Sequence, residues 1–170
     1  MRIAYAVSKR QYGVVLSALK VIYARKPPLA LVAQKIVSAQ NKLTLDFKLR
    51  ALIQVQASRL NGCRFCEDIM LAAAYKERIG TERFAALESA STSPLFTARE
   101  KAALALVTEA TTRRKVSEAT WREAKHHFNE TELVEIVWLN AAENYFNLQA
   151  AVLGLESDGL AEMALKTSLA

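Results

Sequence analysis

Apolar residues recur at helical spacing along most of this chain. Leu49, Leu52, Ile53 and Leu60 share one face of a helix that starts at Leu43 or Thr44 and runs to Asn61. Gly62 stops it, because a residue at positive φ beyond a helix end is cheapest without a Cβ. Helical spacing resumes through about Lys76, and Gly80 closes that segment. Upstream, Val15, Leu19 and Ile22 predict a helix over 12–25. Lys26-Pro27-Pro28 ends it, since the residue before a proline avoids the α region, and a second helix covers 29–41. Residues 1–11 show no period and read as a flexible lead. Downstream, Thr81 caps a short helix to about Ser89, followed by a loop to Pro94. Thr97-Ala98-Arg99-Glu100 is a capping box, in which the Thr side chain and the Glu three residues on satisfy each other's free amides. It opens a helix to about Thr111. Ser117 caps another over 118–128, and Asn129 with Glu132 opens the longest, over 130–153, with Gly154 as its stop. The tail, 155–170, is weakly amphipathic and is expected to pack on a neighbour. The pattern reads as an all-α fold of seven or eight helices in a single domain, with no linker and no low-complexity segment.

Composition narrows this reading. A chain of 170 residues is long enough for one domain with a real core. Hydrophobic content of 52% with only five Gly and three Pro favours helices over a β sandwich, which needs more turn residues. No apolar run reaches the ~18 residues of a membrane span, and the N-terminus has too short an apolar centre for a secretory signal. The expected location is the cytoplasm, without a membrane partner. The net charge of +6 is spread along the chain, often beside acids. Only Arg113-Arg114-Lys115 clusters, after a helix whose C-terminal dipole suits cations. Trp121, Trp138 and the tyrosines do not interleave with basic residues, so no nucleic-acid partner is expected.

The chemistry concentrates in Asn61-Gly62-Cys63-Arg64-Phe65-Cys66-Glu67-Asp68, which holds both cysteines of the chain. Two sulfurs at this spacing on a helical turn can approach disulfide distance. A helix N-terminus offers free N–H groups and positive partial charge, which favour a thiolate. In the cytoplasm such a pair is more often redox-active or metal-binding than a structural staple. Arg59 and Arg64 favour a thiolate while Glu67 and Asp68 oppose it, and the sequence leaves the balance open.

Lys48-Leu49-Arg50 followed by Leu60-Asn61-Gly62-Cys63-Arg64-Phe65-Cys66-Glu67-Asp68 resembles the core motif of the alkylhydroperoxidase D-like branch of the carboxymuconolactone decarboxylase superfamily. The region from Glu130 to Gly154, with Asn144-Tyr145-Phe146-Asn147, is similar to that family's closing helix, and the likeness spans about 20–160. The resemblance implies a helical unit that assembles as a trimer or hexamer. It implies a thiol-dependent peroxidase or disulfide reductase, with Cys66 attacking a hydroperoxide and Cys63 resolving it into a disulfide. A dithiol partner would restore both thiols, and the redox-active Cys63–Cys66 pair would serve in place of a separate cofactor. Two positions depart from the family. Its relay glutamate is replaced by Ala51 and its relay histidine by Met70, and neither residue can carry a proton. A redox sensor or assembly module that keeps the fold without peroxidase activity is therefore the alternative. The decarboxylase or lactone-handling branch lacks the Cys pair as its hallmark and fits less well.

Other candidates follow from position. Met70 is four residues beyond Cys66 and shares its helix face, so it is expected to line the site. Gln56 is expected to reach the sulfur pocket from the preceding helix. Asn140, Asn144 and Asn147 form an amide stripe on the long helix, with Asn144 expected near the dithiol and Glu143 beside it. His126 and His127 are candidate substitute bases, although surface or capping roles are commoner for such residues. Their adjacency does not suit zinc-ligand spacing, so no metal is expected.

Overall fold

The computed structural model describes residues 2–168. Among them no strand occurs, and the helices are α1 (Arg2–Tyr12), a π-turn (Leu19–Tyr23), α2 (Pro28–Gln40), α3 (Phe47–Leu60), α4 (Arg64–Lys76), α5 (Thr81–Ala85), a 3-10 turn (Leu87–Ser89), α6 (Ala98–Arg113), α7 (Glu118–His127), α8 (Glu130–Val152) and α9 (Leu160–Ser168). The all-α expectation holds. No helix among the described residues is long and apolar enough to cross a membrane.

Helix α3 is the centre of the molecule. Leu49, Ile53 and Ala57 pack with Leu106 and Val107 of α6 and Ile136 and Leu139 of α8. On another face, Leu52 and Val55 meet Ala74 and Tyr75 of α4, Phe84, Leu87 and Leu104. A helix buried on several sides must carry few charges, and between Ala51 and Ser58 this one carries none.

The capping boxes at Thr97/Glu100 and Asn129/Glu132 form as the sequence indicates, and Ser117 accepts from Thr120 N–H at the start of α7. Gly154, at φ +65°, ends α8. Elsewhere the elements depart from expectation. Residues 2–12 form a helix, not a flexible lead, and the expected helix over 12–25 reduces to the π-turn. The cause is long-range. Buried Ser8 Oγ donates to Val14 O and accepts from Leu16 N–H, and Asp158 accepts from Ser17 N–H at 2.8 Å. These bonds hold the backbone around Gly13, at φ +78°, out of a continuous helix. Helix α3 starts later than expected because Asp46 is its cap, accepting from Leu49 N–H at 2.9 Å, while Glu135 ties Thr44 and Leu45 from α8. Helix α4 ends at Lys76, ahead of Arg78 at φ +58°, and Gly80 rather than Thr81 caps α5.

Asp68, early in α4, is engaged by another helix. Its two carboxylate oxygens accept from Leu160 N–H and Ala161 N–H at 3.0 and 2.8 Å, which caps α9. That bond, together with Leu160 and Ala164 in the core cluster shared with α4, docks the tail onto the helix that carries the cysteines.

Candidate active site

The turn between α3 and α4 places the sulfurs. Gly62 sits at φ +65°, Gly62 N–H donates to Arg59 O, and Cys63 N–H donates to Ser58 O at 2.8 Å. This is the paired closure of a helix end that a left-handed glycine permits. Cys63 then becomes the N-cap of α4, its Sγ accepting from Cys66 N–H at 3.3 Å, and the two sulfurs are joined in a disulfide with their Cα atoms 5.5 Å apart. Asn61 fixes the turn from the other side. Its amide donates to Asn144 Oδ1 at 3.1 Å and to Asn147 Oδ1 at 2.9 Å, so α8 braces the dithiol loop.

Both cysteines are buried, yet they differ in what they face. Cys66 lines a cavity of about 470 Å³, and Cys63 does not. The N-terminal segment contributes Tyr12, Ile22 and Tyr23 to its walls, and α2 contributes Val37 and Gln40. Helix α3 contributes Phe47, Arg50 and Gln54, α4 contributes Phe65, Ile69 and Met70 beside Cys66, and α8 contributes Glu143 and Phe146. Depressions of about 440 and 480 Å³ elsewhere on the molecule contain no cysteine. Most of the sulfur-bearing cavity is apolar or aromatic. Burial keeps the Tyr12 and Tyr23 hydroxyls protonated, and Tyr145 adds to this at Tyr23.

Among the described residues, Glu143 is the one carboxyl group on these walls. It is 3% exposed and accepts from Gln54 Nε2 at 3.1 Å, Ser58 Oγ at 3.0 Å and Asn147 Nδ2 at 2.9 Å. Burial pushes its pKa above the ordinary carboxylate value, against the lowering effect of those three hydrogen bonds. A buried carboxyl with a raised pKa in a cavity shared with a cysteine is suited to give and take a proton.

The other sequence-derived candidates divide. Met70 lines the cavity with Cys66. Gln56 does not, and its Nε2 donates to Thr108 Oγ1 of α6 at 3.1 Å. Gln54 faces the cavity, and two residues at ~100° each carry the chain to the far side of α3, so the expectation belonged to the wrong glutamine. Asn144 is also absent from the cavity wall. It accepts from Asn61 and from Arg114 Nη1 and acts on the site only through the dithiol turn. His126 and His127 lie on α7 and line none of the cavity. His127 Nε2 pairs with Glu123 at 3.0 Å, with the His126 ring edge-on to it. Arg59 pairs with Glu67 at 2.7 Å, and exposed Arg64 pairs with Glu156, so neither guanidinium is left unopposed near the sulfurs.

Sequence reasoning named Glu143 only as a neighbour of the amide stripe and gave neither it nor Arg50 a chemical role in the site. One signal was present. Asn140, Glu143, Asn144 and Asn147 recur at helical spacing inside the otherwise apolar middle of α8, and buried polar residues require partners.

Residues 31–109 match the Carboxymuconolactone decarboxylase family, a stretch that includes both cysteines. An uncharacterized Bacillus subtilis (strain 168) protein, YdfG, is 27% identical over 107 residues, covering 62% of this chain and 73% of its own. The crystal structure of ATU0492, an Agrobacterium tumefaciens protein of unknown function provisionally assigned to antioxidant defence as AhpD, superposes with a TM-score of 0.76 at 21% identity, covering 79% of this chain and 94% of that one. The debrominase Bmp8 superposes with a TM-score of 0.81 at 16% identity, covering 98% and 90%, and a cysteine-to-alanine variant of that enzyme has been crystallised with 2,3,4-tribromopyrrole. The architecture is thus that of the alkylhydroperoxidase D-like proteins. Over residues 31–109 the chain is similar to the carboxymuconolactone decarboxylase family, and its fold is that of the AhpD-like structures.

Proposed function

We propose that the protein is a thiol-dependent peroxidase for organic hydroperoxides, with Cys66 as nucleophile, Cys63 as resolving thiol and Glu143 as proton carrier. The observation that carries this reading is the asymmetry of the pair: Cys66 opens on a large apolar cavity that also contains a buried carboxyl, and Cys63 is turned into the helix cap. In the reduced protein, the Cys66 thiolate attacks the terminal oxygen of ROOH. The O–O bond breaks, ROH leaves with a proton from Glu143, and Cys66 becomes a sulfenic acid. The Cys63 thiol then attacks Cys66 Sγ, its proton leaves with the sulfenic hydroxyl as water, and the disulfide forms. An external dithiol returns two electrons and two protons by exchange. In this reading Glu143 takes over the part of the family relay, which Ala51, fully buried in the core, and Met70, on the cavity wall, cannot play.

Titration of free thiols in the reduced protein, before and after one equivalent of cumene hydroperoxide, tests this. Two thiols per chain disappear, and Cys66→Ser consumes no peroxide. Peroxide consumption by Cys66→Ser at the parent rate would contradict the assignment.

A second reading, a dithiol sensor that exchanges with other disulfides and ignores peroxide, draws on the same loss of the family's Glu and His. The two readings part on Met70→His. This change supplies an imidazole in the cavity, so it accelerates peroxide consumption greatly in a sensor lacking a base and little where Glu143 already serves.

A further inference from the structure

The cavity contains polar groups that the thiol chemistry does not use. Arg50 and Gln40 both line it, and their Nε and Nε2 atoms are buried and donate to no acceptor. Gln40 as a whole is 7% exposed. Arg50 is oriented by its Nη1, which donates to Gln40 O, and its guanidinium lies 5.7 Å from the centre of the Phe47 ring. No carboxylate of the described residues lies within ion-pair distance of Arg50. The acidic side chain in the same cavity, Glu143, is engaged by Gln54, Ser58 and Asn147. Buried donors are normally satisfied, and a pair left without partners in two residues of a cavity wall calls for an acceptor from outside. A guanidinium beside an amide donor suits a carboxylate.

We infer that this cavity binds an amphipathic organic acid, its carboxylate on Arg50 and Gln40 and its apolar body against Ile22, Phe65 and Phe146, with the reacting group at Cys66. This rests on the proposed thiol chemistry for the reacting end and on the unsatisfied donors for the anchor. The spacing follows from the helices. Arg50 lies one turn from the start of α3, and Cys66 lies just past the turn that ends it. At ~1.5 Å per residue, α3 rises about 15 Å from Arg50 to Leu60, so anchor and sulfur are on the order of 10–15 Å apart along the axis. The substrate class is then a hydroperoxide of a medium-chain or arylalkyl carboxylic acid, not hydrogen peroxide.

The test is separate from turnover. Decanoate, with decanol as its neutral counterpart, is titrated against the reduced protein, and binding is read by calorimetry and by protection of Cys66 from iodoacetamide. Decanoate binds and protects, and decanol binds at least about tenfold more weakly, the ratio expected for losing a charge-assisted hydrogen bond. Arg50→Met and Gln40→Leu each weaken decanoate and leave decanol unchanged, and Arg50→Lys retains part of the affinity. Gln40→Leu removes a side-chain amide donor that has no partner, so it reports on binding even if Arg50→Met fails to fold. Equal binding of acid and alcohol, or decanoate affinity unaffected by Gln40→Leu, overturns the inference. Decanoate binding through Arg50 in a protein that consumes no hydroperoxide leaves the anchor standing and removes the peroxidase reading alone.

Discussion

Glu143→Gln separates the two roles assigned to this carboxyl, one in stability and one in chemistry. In the parent protein burial raises its pKa above that of the unfolded chain. The folded state therefore holds its proton where the unfolded state has released it. Stability is full below about pH 4.5, falls as pH rises through the folded value, and levels off above it. The steepest slope one such group can produce is about 1.4 kcal/mol per pH unit. Glu100 and Glu132 shift the other way: burial opposes the lowering at Glu100, the Arg99 hydrogen bond leads it at Glu132, and the Arg83, Thr97 and Asn129 contacts assist. Their contributions fade as pH falls through their lowered values, so the window above pH ~4.5 isolates Glu143. Glutamine keeps the shape. Its Oε1 still accepts from Ser58 and Asn147, and the Gln54 amide can turn to meet its Nε2, so at low pH the variant is within about 1 kcal/mol of the parent. Urea unfolding at several pH values is the assay for stability, and the slope above pH ~4.5 disappears in the variant. Single-turnover oxidation by cumene hydroperoxide is the assay for chemistry, and its rate drops by about 10²–10⁴, the usual contribution of a positioned acid–base group. A variant that loses the stability slope but keeps the oxidation rate refutes Glu143 as proton carrier.

Other expectations follow from single contacts. Asp68→Ala removes both acceptors that cap α9 and lowers stability by roughly 2 kcal/mol, read as a urea midpoint, while α9 amides lose protection in hydrogen exchange. Asn129→Ala removes one half of the capping box of α8 and costs about 1 kcal/mol by the same assay. Ile136→Ala empties a fully buried site between α3, α6 and α8 and costs about 2–5 kcal/mol. We also propose that the chain self-associates as a trimer or hexamer through the outer stripe of α8, where Val134, Val137, Trp138, Leu148 and Val152 remain exposed. Sedimentation of the parent then gives three or six times 18.8 kDa, and Val137→Glu shifts it toward one.

The parts of this structure that were legible in the sequence are those with local causes. Thr97, Ser117 and Asn129 cap helices through residues three positions away, and Gly62 ends α3 by its own backbone freedom, so each signal lies in a short window. The N-terminal segment was not legible. Its form depends on Ser17 meeting Asp158, 141 residues away, and such a bond leaves no trace in periodicity. The same division runs through the site. The cysteine pair at a helix start and Met70 one turn later are matters of spacing on one helix. The cavity is assembled from five separate stretches of chain, so the partners Arg50, Gln54 and Glu143 emerge only when α2, α3 and α8 are brought together. Gln56 shows the limit within a single helix: its stripe was identified, but which side of α3 met sulfur and which met Thr108 was decided by packing.

The direction of the cysteine pair is the central claim, and site-resolved trapping of the oxidised sulfur tests it most directly. Cys63→Ser and Cys66→Ser are reduced, treated with cumene hydroperoxide in the presence of dimedone, and mapped by peptide mass spectrometry. The account expects the sulfenic acid adduct on Cys66 in Cys63→Ser and no adduct on Cys63 in Cys66→Ser. An adduct on Cys63 formed as fast as that on Cys66 would contradict it.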